Sequence, residues 1–157
     1  MRSFGLFVVA VLTAAVFAYP ATANGASVVA TINGGGTAIM DPISFAQGTT
    51  SFGIHATLYS DGAARGHLNC IDQVGSTLPG NIIGEVTSWE GNLDGSITLN
   101  VVGKFVGIPG GHPQDVSFSV TILSFGGAGV GQWTLSIGGF TFCVETLRSG
   151  QIVMRRA

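Results

Sequence analysis

The sequence predicts an all-β protein, and three observations lead to that prediction. Apolar and polar side chains alternate at every second residue over long stretches, as in strands with one buried face. Glycine accounts for 25 of the 157 residues and marks short turns at regular intervals. Helical periodicity is nearly absent beyond residue 23. These features favour a single antiparallel meander of about eight to ten strands that forms a small closed or flattened barrel, with a two-sheet β-sandwich as the alternative.

The chain begins with a segment typical of an export signal. Arg2 gives a positive start, residues 4–18 are almost entirely apolar, and Ala21-Thr22-Ala23 has the small-x-small form of a cleavage site. We therefore expect residues 1–23 to be a signal peptide and residues 24–157 to form a single all-β domain. The protein is then expected to be secreted, or to reside in the periplasm or at the cell surface.

Ten segments of the chain are predicted to form strands, and they differ in how regularly their side chains alternate. Four of them alternate regularly, at residues 50–60, 96–105, 115–124 and 131–138. Six are less regular, at residues 26–33, 36–45, 64–71, 81–89, 141–147 and 151–155. Turn residues separate them, and Asn33-Gly34-Gly35-Gly36 and Ser149-Gly150 are among the predicted chain reversals. Because the connections are short, strands adjacent in sequence are expected to pair in space.

The predicted strands at residues 50–60 and 64–71 can be aligned as a hairpin from their apolar residues. A three-residue loop of Asp61, Gly62 and Ala63 keeps the apolar side chains of both strands on one face. This register predicts three pairs: Leu58 with Gly66, Ala56 with Leu68, and Ile54 with Cys70.

The opposite face of that hairpin carries the densest polar cluster that the sequence predicts. Its members form a candidate ligand face: His55, Tyr59, Arg65, His67 and Asn69. The two histidines are expected to be diagonal neighbours, about 7–8 Å apart, which is within reach of a shared zinc or copper ion. The simpler interpretation, which is favoured, is a solvated polar face without a metal.

Cys70 and Cys143 are the only cysteines of the chain. Because an exported chain meets an oxidising compartment, a disulfide bond between them is expected, with two buried thiols as the alternative. Closing a loop of this length would stabilise the folded state by ~4 kcal/mol in the chain-entropy description. No Cys-x-x-Cys spacing supports a redox or zinc role.

Composition excludes several classes of function. Charged residues make up 9% of the chain against a usual ~25%, and Lys104 is the only lysine. This excludes a basic nucleic-acid-binding protein, and the 46% hydrophobic content excludes a solvated disordered chain. After signal cleavage no segment is long and apolar enough for a membrane-spanning helix. A small outer-membrane barrel is disfavoured, because too few aromatic residues are present for two membrane girdles.

No catalytic residue and no cofactor is predicted. The chain lacks a Gly-x-Ser-x-Gly elbow, and the glycine cluster at residues 126–131 lacks the Lys-Ser/Thr pair of a phosphate-binding loop. In a closed barrel, however, Glu85 and Glu145 could face inward and line a cavity for one small ligand, with Trp89 and Trp133 as its floor. A core position is favoured for Trp133, because it alternates with Leu135 and Ile137. Carboxylate spacing neither supports nor excludes a glycosidase.

Four segments in a fixed order along the chain carry a resemblance to a known family. They are Ala30-Thr31-Ile32-Asn33-Gly34-Gly35-Gly36, Ser51-Phe52-Gly53-Ile54-His55-Ala56, Gly62-Ala63-Ala64-Arg65-Gly66-His67-Leu68 and Leu147-Arg148-Ser149-Gly150-Gln151-Ile152. With these segments the chain resembles the post-COAP family of exported bacterial β-domains. It departs from that family in its cysteine pair and in Asn69-Cys70-Ile71-Asp72. The resemblance implies a secreted or surface-attached bacterial β-domain and brings no established activity and no catalytic residues.

The function that the sequence favours is that of a secreted, non-enzymatic β-domain with a surface-associated binding or structural role. One alternative is a carrier of a small ligand, built as a closed barrel. Another is a metal-dependent or hydrolytic enzyme with its site on the face of His55 and His67. The expected partners are a cell surface or a small molecule, and not a nucleic acid.

Overall fold

A computed structural model describes residues 25–42, 44–73 and 75–157, which form nine β-strands. The strands are β1 (Val28–Met40), β2 (Thr49–Tyr59), β3 (Ala63–Asp72), β4 (Gly80–Gly91), β5 (Ile97–Gly107), β6 (Gln114–Ser124), β7 (Gly126–Gly127), β8 (Gln132–Ile137) and β9 (Phe140–Arg156). Within these ranges no helix is long and apolar enough to cross a membrane. The predicted signal peptide, residues 1–23, lies outside the described residues.

The sheet closes on itself into an eight-stranded antiparallel barrel. Each strand pairs with the next in the order β1-β2-β3-β4-β5-β6-β8-β9, and β1 then pairs with β9. The short strand β7 is an addition that pairs with the end of β9. This confirms the predicted all-β meander and its closed form, so the sandwich alternative is wrong.

Alternation of side chains fills the interior of the barrel, as it does in other small barrels. Every second residue of β2 is buried, and the same alternation continues around the ring. Trp133 is 2% exposed and packs against the ring of Phe52, with ring centroids 5.6 Å apart. The core side chains with no exposed surface include Ile32, Leu58, Leu99 and Ile122.

Two of the predicted chain reversals are wrong. Residues 33–36 continue through β1, and Ser149-Gly150 continues through β9, so that each strand replaces two predicted ones. The two glycine segments pair with each other, Gly36 opposite Gly150. A Cβ atom on Gly36 would lie 2.1 Å from the backbone oxygen of Ser149, so these glycines permit a close approach of two strands.

A β-bulge explains why β9 resembles two strands in sequence. Thr37 pairs with Ser149 and Ala38 with Leu147, so Arg148 is an extra residue on β9. The extra residue shifts the inward-facing positions from odd to even numbers, and Ile152 is buried as Leu147 is. The alternation therefore changes phase inside one continuous strand.

The predicted register of the β2–β3 hairpin is displaced by two residues. Leu58 pairs with Ala64, Ala56 with Gly66, Ile54 with Leu68 and Phe52 with Cys70. The three-residue loop is present but consists of residues 60–62, one residue earlier than predicted. A shift of two residues leaves every side chain on its predicted face, which is why alternation alone could not detect it.

The two ends of the barrel differ. At one end, which we call the thiol end, lie Cys70, Asp72, Cys143 and Glu145, where β3 finishes and β9 begins. At the other end the half-buried Trp89 donates its indole N–H to the backbone oxygen of Tyr59 at 2.8 Å.

Candidate functional site

Two short segments of the same form meet inside the thiol end. Cys70 and Asp72 lie on β3, and Cys143 and Glu145 lie on β9, in each case two residues apart. Residues two apart on a strand share a face, so each thiol and its carboxyl group point inward together. All four side chains are buried, and Glu145 has no exposed surface. The barrel thereby concentrates four acidic groups in an otherwise apolar interior.

The four groups are joined by short contacts. The Cys143 thiol donates to Oε1 of Glu145 at 3.1 Å, and the Cys70 thiol donates to Oδ1 of Asp72 at 3.8 Å. Thr50, on β2, donates its hydroxyl to Oε2 of Glu145. One ligand atom each from Cys70, Asp72 and Glu145 lies within 4.8 Å of the other two.

Burial changes the acid–base behaviour of both carboxyl groups. Loss of solvation raises the pKa of Glu145 from 4.5 to about 7, against the hydrogen bonds from Thr50 and Cys143 that lower it. Loss of solvation likewise raises the pKa of Asp72 from 3.8 to about 6, against the hydrogen bond from Cys70. Both pKa values therefore lie near neutral pH, where each carboxyl group is present in its protonated and its ionised form, as is common at functional sites.

Burial also keeps the thiols protonated. Loss of solvation, together with the nearby carboxyl groups, raises the pKa of Cys70 and of Cys143 far above the ordinary value of a thiol. Because the thiolate is the reactive form of cysteine, neither side chain is activated as a nucleophile.

An apolar cavity of about 220 Å³ opens beside the thiols. Its residues come from five strands and one connection: Cys70, Asp72, Leu78, Gly80, Ile82, Phe105, Leu135, Ile137, Phe142 and Cys143. Leu78 is 41% exposed, and Phe105, Ile137 and Phe142 are half-buried, whereas both thiols are buried. The cavity therefore extends from a partly exposed apolar rim to the buried acidic groups.

The predicted disulfide bond between Cys70 and Cys143 is absent, and both are free thiols. The cysteines lie on β3 and β9, which are separated in the barrel by β1 and β2, so they face each other across the interior and not on adjacent strands. Each thiol is hydrogen-bonded to a carboxyl group instead of to the other sulfur. The alternative of two buried thiols is the one that the structure has.

The three residues of the candidate cavity are not brought together. Glu145 does face the interior, but Glu85 is exposed on the outer face of β4 between Ile83 and Thr87. Trp89 lies at the opposite end of the barrel from Glu145, where it packs near Leu58 and Ile97. The cavity at the thiol end therefore has neither Glu85 nor Trp89 in its lining.

The candidate ligand face is present with a changed arrangement. His55 lies directly opposite His67, with ring centroids 6.1 Å apart, and Nδ1 of His55 is 2.7 Å from Oδ1 of Asn33.

The rest of that face is also shifted by the register. Arg65 lies opposite Thr57, Asn69 opposite Gly53, and Tyr59 opposite Val28. Glu85 on β4 lies opposite His67, but within the described part of the chain the three ligand atoms found close together are those of the thiol end and not of this face.

Two residues of the site were not singled out in the sequence, Asp72 and Thr50. The signal for Asp72 was available: Cys70-Ile71-Asp72 and Cys143-Val144-Glu145 share the form Cys-x-acid within strands. Thr50 had no such signal, because its role depends on β2 and β9 lying on either side of β1.

Comparisons with known proteins add no assignment. No protein-family model matches this chain, and no match was found among curated proteins or solved structures. The resemblance to the post-COAP family therefore stays a prediction from the sequence.

Proposed function

We propose that this protein is an exported, non-enzymatic β-barrel that binds a small ligand in the cavity at the thiol end. One feature carries the proposal: an apolar cavity of about 220 Å³ that leads from a partly exposed rim to buried thiol and carboxyl groups. Pockets of this kind, mainly apolar with a few converging polar groups, are typical of small-molecule sites. Export rests on the predicted N-terminal signal peptide.

Size and lining indicate the class of ligand. An apolar cavity of ~150 Å³ accepts benzene, so this cavity has room for one ring with a short substituent. The walls are formed by large apolar side chains, among them Ile82, Leu135 and Phe142. At the inner end Asp72 can hydrogen-bond to a polar group. The proposed ligand is therefore a small, mainly apolar molecule with one hydroxyl or amino group.

A cavity-filling substitution tests this function. Ile82→Phe adds a ring at a side chain that is 7% exposed and lines the cavity. Ile83→Phe makes the same change on the outer face of the same strand, where the side chain is 48% exposed. Binding of toluene, benzyl alcohol and benzylamine would be titrated by chemical-shift changes of the backbone amides, with thermal unfolding as a check on folding.

The two variants are expected to behave differently. The unsubstituted protein and Ile83→Phe should bind benzyl alcohol or benzylamine more tightly than toluene, and Ile82→Phe should lose at least about tenfold in affinity. Equal affinity of the two folded variants, or no binding of any of the three compounds, would contradict the proposal.

A further inference from the structure

We propose that the thiol end also holds a zinc-class divalent cation, bound by Cys70, Asp72 and Glu145, with Cys143 as the fourth ligand. This site does not depend on the organic ligand proposed above, because its donor atoms are those of the protein itself. Four arguments support it: the positions of the donor atoms, the charge of the interior, the chemistry of the ligands and the group that orients one of them.

The donor atoms are already close to the spacing that a metal ion requires. Bonds of ~2.0–2.3 Å place the ligands of a tetrahedral zinc ion roughly 3.4–3.8 Å apart. Ligand atoms of Cys70, Asp72 and Glu145 lie within 4.8 Å of one another, and Sγ of Cys143 is 3.1 Å from Oε1 of Glu145. A contraction of about 1 Å would bring the three donors of Cys70, Asp72 and Glu145 to this spacing, and rotation of the Cys143 side chain beside Glu145 would add the fourth ligand.

The described interior contains acidic groups without a positive partner. The buried polar and charged residues of the described chain are Thr50, Asp72, Ser96 and Glu145, and none of them is cationic. The lining of the cavity likewise contains no Lys, Arg or His. Since ionised groups that are buried in proteins are paired or coordinate metals, a divalent cation would supply the positive partner that these groups need when they ionise.

The chemistry of the ligands selects the kind of ion. Two sulfur ligands with two carboxylate oxygens suit zinc and its soft neighbours, whereas calcium and magnesium require oxygen ligands throughout. Binding replaces the protons of the thiols that coordinate, and these protons pass to solvent while the oxidation states of sulfur and metal stay unchanged.

Thr50, which is not itself a proposed ligand, already orients the ligand Glu145. Thr50 donates its hydroxyl to Oε2 of Glu145, which leaves Oε1, the oxygen near Cys143, on the side of the thiols. Hydrogen bonds of this kind position the ligands in many metal sites. Thr50 is buried on β2, so its contact does not depend on solvent.

The test uses the full chain, purified under reducing conditions and freed of metal with a chelator. Zinc is titrated against a chromophoric chelator, and cobalt(II) is added separately because its absorption spectrum reports coordination geometry and thiolate ligands directly. We expect one zinc ion per chain, a tetrahedral cobalt spectrum with a sulfur-to-metal charge-transfer band, and a rise in the thermal unfolding midpoint on zinc binding.

Variants connect the binding to the named ligands. Cys70→Ser, Cys143→Ser and Glu145→Gln should each weaken zinc binding more than Thr50→Val, for which about a tenfold loss is expected. Glu85→Gln and the double variant His55→Ala with His67→Ala are matched controls on the outer face and should bind zinc normally. The cobalt spectrum of the unsubstituted protein decides the question even if a cysteine variant does not fold.

Three results would overturn the site: no zinc bound by the folded chain, a cobalt spectrum without a thiolate band, or binding abolished by the histidine double variant. Its failure is distinguishable from failure of the proposed function. Ile82→Phe is expected to lose affinity for benzyl alcohol and to keep its affinity for zinc, because Ile82 contributes no donor atom.

Discussion

At the scale of single residues, the described barrel buries acidic groups without pairing them with a cationic side chain. Asp72 and Glu145 carry raised pKa values because they lose solvent, and neither gains a cation in return. Such groups favour the protonated form in the folded protein more strongly than in the unfolded chain. Their effect on stability therefore depends on pH in a direction that can be predicted.

The free energy of unfolding should fall as pH rises from about 4 to about 7. In this window the folded state binds more protons than the unfolded state, because the folded pKa values of about 6 and about 7 exceed the ordinary ones. For Glu145 the difference from 4.5 to about 7 corresponds to roughly 3 kcal/mol. The lowered pKa values of the exposed Asp94 and Asp115 act below this window.

Glu145→Gln should remove about half of this decline, because Asp72, whose pKa is raised by a similar amount, contributes the rest. The measurement is the thermal unfolding midpoint between pH 4 and pH 8 in the presence of a chelator. Glu85→Gln, at an exposed position on β4, serves as the control and should follow the unsubstituted protein. A midpoint that rises across this range, or a decline that Glu145→Gln leaves intact, would show that Glu145 is not buried in a raised-pKa environment.

The thiols provide a second prediction at this scale. Because Cys70 and Cys143 are buried, protonated and not bonded to each other, neither should react with iodoacetamide in the folded protein. In denaturant without reductant both should be alkylated, which mass spectrometry detects as two added groups. A denatured chain that takes up no label would instead contain the disulfide bond that the sequence predicts.

At the scale of elements, the contact of β1 with β9 depends on glycine. Gly36 has a φ of +150°, and Gly150 has a φ of +77° and lies so close to β1 that a Cβ atom would be 1.9 Å from the backbone oxygen of Gly35. Residues with a side chain rarely adopt these conformations. The pairing of β1 with β9, which closes the barrel, therefore requires glycine on both strands.

Gly36→Ala should lower the free energy of unfolding by more than about 2 kcal/mol, since it adds both backbone strain and overpacking. Gly35→Ala is the neighbouring control, because a Cβ atom there would lie 3.4 Å from its nearest atom, at ordinary contact distance. Urea denaturation of both variants measures the difference. If the two variants have equal stability, β1 and β9 do not approach each other as closely as described.

The same elements show what the sequence could and could not predict. Alternation identified the strands and their inner faces correctly because burial of one face enforces a period of two. It could not give the register of β2 with β3, because a shift of two residues preserves every face. Alternation also predicted two strands in place of β9, because the bulge at Arg148 changes the phase of alternation inside one continuous strand.

At the scale of the whole molecule, closure of the barrel decides what the interior contains. The sequence left barrel and sandwich open, because both bury alternate residues. Only the pairing of β1 with β9 brings Glu145 beside Thr50 and Asp72. The inward position of Glu145 was predicted, but the residues that line the cavity were not, because they come from strands far apart in the chain.

Removal of residues 151–157 should open the barrel. These residues include Ile152, which is 1% exposed and pairs with Gly34. We expect the truncated chain to lose its cooperative thermal transition, whereas removal of Ala157 alone should leave the transition in place. A cooperative transition after the longer truncation would mean that closure through β9 is dispensable.

The most direct test of the account is the position of a small aromatic molecule in the folded barrel. Nuclear Overhauser effects between benzyl alcohol and the methyl groups of the protein measure it without any substitution. The account predicts contacts with Ile82 and Leu135, inside the thiol end. Contacts confined to the exposed rings of Phe45 and Phe140, or no contacts at all, would contradict it.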